Sequence, residues 1–209
     1  MKKNLLFSAA LAGLIGLTAC SQPAAETPKT DAAMAEKKAP AGPPEPVTAK
    51  TAFYEMYTPA HAWAPDLLAL SLVSGEVAGV KNAEGKAGMW TAVFASPSLH
   101  AARTYTYAVA EQLPTIQKGV KAEGTENWAG PSRAQMTFQN SDFAIDSDAA
   151  YTTAAAKAGD WLKEHADKQA VFTLGAASRF PSPVWYVIWG DAKSGYAVYL
   201  SATTGTIMK

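Results

Sequence analysis

The chain has 209 residues, with 18 basic and 18 acidic side chains, so its formal charge is zero; charged residues make up only 17% of it, below the usual ~25%. No basic patch stands out, which argues against a nucleic-acid partner and leaves no field to steer a polyanion. A single cysteine excludes a disulfide framework, so the fold has to rely on its core.

Met1-Lys2-Lys3-Asn4 is a basic start, and Leu5 to Leu17 is an apolar run of 13 residues. That is too short to span a bilayer, which needs roughly 20 apolar residues, and the order is that of a secretory signal. Leu17-Thr18-Ala19-Cys20 closes the segment with the only cysteine of the chain. These residues resemble the lipobox of bacterial lipoproteins. The resemblance implies that residues 1–19 are a signal peptide, and that Cys20 carries a diacylglyceryl group and fatty acyl chains such as palmitate. Cys20 is therefore the expected lipid attachment site and the lipid bilayer the first expected partner. Each buried methylene contributes ~0.8 kcal/mol, so two or three acyl chains hold a protein stably. Ser21, rather than an aspartate, follows the cysteine, which in this class favours the outer membrane, on its periplasmic or surface face. Without Lys2 and Lys3 the mature chain has 16 basic against 18 acidic residues, a net charge of −2.

Residues 20–47 read as a lipid-anchored tether rich in proline and alanine. Pro23, Pro28, Pro40, Pro43, Pro44 and Pro46 lie there, and it has no aromatic residue. Such a segment cannot bury enough surface to offset its ordering entropy, and its extended reach is on the order of 80 Å.

All six tryptophans follow the tether. Residues 48–143 form a first half and residues 144–209 a second half with the same order of signals, an internal repeat. In the first half, Thr51 to Leu70 carries a helical pattern broken by Pro59 and Pro65. Leu68 to Gly75 alternates as a strand, and Gly88 to Ala95 and Arg103 to Val109 read as further strands. Val120 to Ala122 and Gln135 to Gln139 are expected edge strands, with a loop from Gly124 to Ser132. In the second half, Ile145-Asp146-Ser147-Asp148 is a helix start. Tyr151, Ala154, Ala155, Ala158, Trp161, Leu162 and His165 mark one apolar stripe on a helix over 147–166. Val171 to Leu174 is a short strand. Val184 to Trp189 places Trp185, Val187 and Trp189 on one face, with Tyr186 and Ile188 on the other. Tyr196 to Ser201 and a closing Ile207-Met208 complete the plan. The expected class is α+β: two helix-plus-antiparallel-sheet repeats on an α-β-β-β plan, each sheet covered on one face by its helix.

The second half resembles the PepSY domain of bacterial envelopes and peptidase propeptides. The resemblance rests on the Ala-rich helix after Asp146, on Val184-Trp185-Tyr186-Val187, and on the hairpin through Ala202-Thr203-Thr204-Gly205-Thr206-Ile207. It implies a module that binds and restrains peptidases, or that serves as a periplasmic binding part of larger membrane proteins, and it carries no catalytic residues to transfer.

Chemistry-bearing patterns are sparse. His61, His100 and His165 fall in separate elements, and no spacing suggests the three or four convergent ligands of a zinc site. Asp142, Asp146 and Asp148 fit a turn and a helix cap better than a calcium loop. There is no Gly-x-Ser-x-Gly elbow and no phosphate-cradling loop. No cofactor, metal or catalytic residue is therefore expected, and the protein is read as not an enzyme. Tyr186 and Tyr199, on the side of the sheet away from the helix, are the candidate binding surface. The expected function is a non-catalytic envelope binding module, with a peptidase or an extended peptide as partner. The alternative is a structural or assembly lipoprotein of the outer membrane, and a hydrolase is third. A pocket of converging polar groups would favour the hydrolase, a broad apolar face the assembly role, and an unpaired, uncharged edge strand peptide capture.

Overall fold

The computed structural model describes residues 42–191 and 193–208. Cys20, the signal segment and most of the tether lie outside the described residues.

The fold is α+β, with helices against one antiparallel sheet of seven strands. The first half supplies α1 (Ala49–Trp63), β1 (Leu68–Gly75), β2 (Met89–Ser96), β3 (Ala101–Ala108) and β4 (Gly119–Asn127). The second supplies α2 (Ser147–Lys157), α3 (Gly159–Glu164), β5 (Ala170–Gly175), β6 (Val184–Trp189) and β7 (Tyr196–Ser201). Strand order is β4-β3-β2-β1-β5-β6-β7. The expectation of a separate sheet for each half is thereby corrected. The first strands of the two halves pair antiparallel, Leu72 opposite Leu174 and Val73 opposite Thr173. Two separate sheets would leave both strands as unpaired inner edges, and joining them satisfies both rows of backbone groups.

Other boundaries differ for local reasons. Helix α1 runs through Pro59 to Trp63 instead of breaking there. A proline that late in a helix removes one backbone N–H, and α1 packs Phe53, Met56 and Ala60 into the core. It stops before Pro65, as the residue ahead of a proline disfavours helix. The second helix is interrupted at Ala158, with backbone angles of φ −87° and ψ 4°, where Gly159 follows. Strand β4 continues through Gly124 because a bulge opposite Thr104 absorbs the irregularity. The Gln135–Gln139 segment adds no edge strand. Met136 bridges Ala176 and Phe138 bridges Ala69, so it wedges between β1 and β5 where they part. Ile207 makes a single bridge to Leu200 in place of a final strand.

The core lies between the helices and one face of the sheet. Trp90, Phe94, Trp185, Val187 and Trp189 point into it and are fully buried. Opposite the large tryptophans of the second half, α2 presents Ala150 and Ala154, so the helix backbone approaches closely. Phe143, in the connection between the halves, packs edge-on against both Phe53 and Trp185.

The two halves reuse one device. Trp90 Nε1–H donates to the carbonyl of Val47, just ahead of the α1 cap, at 3.0 Å. Trp185 Nε1–H donates to the carbonyl of Ile145, just ahead of the α2 cap, at 2.9 Å. The helix starts also hold each other. Asp146, the N-cap of α2, accepts from Ser147 N–H at 2.7 Å and from Lys50 N–H of α1 at 2.9 Å. The buried Ser147 hydroxyl accepts from Ala49 N–H at 2.8 Å. One carboxylate thus serves the positive ends of two helices.

Candidate functional site

Strand register decides what the side of the sheet away from the helices, open among the described residues, displays. Across β3, β2 and β1, Thr106 lies opposite Thr91, and Thr91 opposite Val73. Across β5, β6 and β7, Val73 is opposite Thr173, Thr173 opposite Tyr186, and Tyr186 opposite Tyr199. Lys121 of β4 extends this transverse row at its outer end. Thr91 and Thr106 share a hydrogen bond of 3.3 Å between their hydroxyls. Val171, Ile188 and Ala197 form a parallel row on the same side.

The candidate residues Tyr186 and Tyr199 therefore sit side by side on the open face, as the alternation in β6 predicts. Their rings meet edge to face with centroids 5.2 Å apart, and Phe180 joins Tyr186 at 6.5 Å. Both tyrosines are half-buried by neighbouring strands, while Val171 beside them is 47% exposed. Phe180 also lines a cleft of about 590 Å³ with Phe138, Pro181, Pro183 and Thr203, at the end of the sheet.

Charge is the unusual property of this face. The six strands other than β4 carry one charged residue among them, Arg103. Arg103 is on the helix side, in register with the buried Phe94. It lies over the rings of Trp63 and Tyr105 and donates to the Glu123 carbonyl at 2.8 Å. Burial pushes the Tyr105 phenol up. The open face of these six strands has no charged side chain.

The sheet edges are less available. Strand β4 carries Lys121 and Glu123, ion-paired at 2.9 Å, together with Glu126 and the bulge. Charges and bulges both discourage strand addition. The other edge, β7, is partly taken: Ser201 N–H donates to Thr206, and Met208 N–H to the Tyr199 carbonyl.

The remaining polar candidates have structural surroundings. His165 stacks on Trp161 at 4.1 Å, and its Nδ1 lies 2.9 Å from the Trp161 carbonyl. His61 packs beside Tyr57, and His100 occupies the β2–β3 turn at φ 49°. The structure does not bring the three together. Asp142 and Asp146 cap a turn and a helix, and Asp148 follows in the first turn of α2. Asp66 carries no local signal in the sequence, since its partners lie about thirty positions away. It accepts from the Ser96 hydroxyl at 2.6 Å and from Ser98 N–H at 2.8 Å, and these bonds hold its carboxyl below the ordinary value of 3.8. Among the described residues, no group of three potential metal ligands converges, and no helix is long and apolar enough to cross a membrane.

No protein-family model matches the chain, and no curated protein matches it. Among solved structures, the chain is similar to a Clostridium difficile 630 protein provisionally described as a lipoprotein, with a TM-score of 0.49 and 11% identity. The alignment covers 76% of this chain and 90% of that one. A likeness at this level assigns neither family nor function.

Proposed function

We propose that this chain is a lipid-tethered protein of the bacterial envelope whose domain binds another protein non-covalently through the open face of its sheet. The observation that carries this reading is the absence of charge from that face on six adjacent strands. A solvated sheet face usually alternates to polar and charged residues, and a contiguous uncharged surface with aromatic anchors is the signature of an interface. Tyr186 and Tyr199 are the expected anchors. Attachment through Cys20 at the outer membrane and the long tether would let the domain search for its partner away from the lipid surface.

In this reading, residues 48–143 and 144–209 are two PepSY-like repeats. The matched bonds of Trp90 and Trp185 to the chain just ahead of each helix support it. The partner implied by that resemblance is a peptidase. The charged β4 edge and the occupied β7 edge favour docking against a folded surface over capture of an extended peptide. The same breadth favours a second reading, a structural or assembly lipoprotein.

Cross-linking in intact envelopes tests both, comparing the lipidated chain with a soluble chain starting at Pro40, which keeps Val47. Capture of one peptidase by both forms, inhibition of it by the purified domain, and loss of both on Tyr186→Ala with Tyr199→Ala support the first reading. Capture of envelope-assembly proteins by the lipidated form alone favours the second. Capture unaffected by the tyrosine substitutions removes the open face from either.

A further inference from the structure

The open face is also self-complementary, and we infer that a second copy of this chain covers it when no other partner does. The inference rests on the reading of this face as an interface, and it names an occupant that excludes the others.

Four features lead to it. The first is charge. A face that meets its own copy cannot bear net charge of one sign without repelling itself, and on six strands this one bears none. The second is symmetry. β1 is the middle strand of seven, so a two-fold axis lying along it superposes the central row of one copy on that of the other. The third is size matching. About that axis, Val73 meets Val73 of the second copy and Thr91 meets its Thr173. Thr106 meets its Tyr186, and Lys121 meets its Tyr199. Each large ring thus faces a smaller or flexible side chain, as interdigitating sheets require. The one cation of the row is laid over an aromatic ring, a favourable pairing. The fourth is area. Six strands about 4.8 Å apart and the two open rows about 6.8 Å apart cover roughly 400 Å² per copy, about 800 Å² in all, the size of a weak and reversible contact; the next row is closed, with Val184 and Ser201 buried.

The partners pack as two aligned sheets about 10 Å apart. Helices α1 and α2 lie on the outer sides, where they do not obstruct the contact.

The experiment is sedimentation equilibrium on the chain from Pro40 onward, which contains the whole core, over a wide concentration range. Val73 lies on the axis, so Val73→Lys opposes two lysines and Val73→Asp opposes two aspartates. The expected result is a reversible doubling of mass for the native chain, monomers for each variant alone, and restored doubling when the variants are mixed. Restoration shows that each variant folds. A native chain that stays monomeric throughout, or a dimer indifferent to both substitutions, overturns the proposal. If, in that case, cross-linking through Tyr186 still captures a peptidase, the functional reading survives while the second copy is excluded as occupant. If neither forms, both fall.

Discussion

Replacing Asp146 by alanine tests whether one carboxylate joins the two halves. Asp146 accepts from the backbone N–H of Ser147 in α2 and of Lys50 in α1, at 2.7 and 2.9 Å. Loss of an N-cap side chain costs about 1 kcal/mol, within a range of 0.5–2. The Lys50 N–H then loses its acceptor in a partly buried place, which adds about 1 kcal/mol or somewhat more. The favourable interaction of a carboxylate with two helix N-termini is lost as well. The sum is about 2–3 kcal/mol. Urea unfolding of the domain at neutral pH reads this directly. With a slope of about 2 kcal/mol per molar urea, the midpoint should fall by about 1–1.5 M. Asp146→Asn keeps the acceptor oxygen and should cost less than half as much, since asparagine caps helices nearly as well. A shift below about 0.3 M for alanine, or equal shifts for both variants, would refute the shared cap.

Three further outcomes follow from local geometry. Gly85 has φ +82°, and a Cβ there would lie 2.3 Å from the Ser147 carbonyl oxygen at the start of α2; Gly85→Ala should lower the melting temperature by several degrees, corresponding to about 2 kcal/mol or more, and an unchanged melt would count against this close approach. Trp185→Phe removes the donor to Ile145 and leaves a void, for a loss of about 2–3 kcal/mol, measurable by the same urea titration; a loss under about 0.5 kcal/mol would contradict the bond. The Asp66 carboxyl is lowered chiefly by the Ser96 hydroxyl and then by the Ser98 N–H. Its stabilising contribution is complete above the ordinary carboxylate value and lost as pH falls through the lower folded value. Asp66→Asn should therefore flatten the acid limb of stability below about pH 4, and an unchanged limb would contradict it.

Much of the local structure is legible in the sequence because periodicity reports it directly. The alternation in Leu68–Gly75 and in Val184–Trp189 identifies strands, and the latter assigns Trp185 inward and Tyr186 outward. Asp146 reads as a helix cap because capping is a local bond. Its second duty toward Lys50 spans 96 positions and leaves no local trace. The β1–β5 pairing is equally silent, since alternation says which face is buried but not which edge meets which. Pro59 misleads because the packing of α1 outweighs one lost backbone bond. The near absence of charge from six strands is visible in the letters, with Arg103 the exception. It becomes a continuous surface only when register places the strands side by side.

The most direct test of the central claim is site-specific photo-cross-linking in intact cells. A photoreactive residue would replace Tyr186 or Thr91 on the open face, or the exposed Tyr54 on α1 as control. The account predicts that positions 186 and 91 give the same discrete adducts, and that position 54 does not. Adducts from position 54 alone would place the interface on the helices and contradict it.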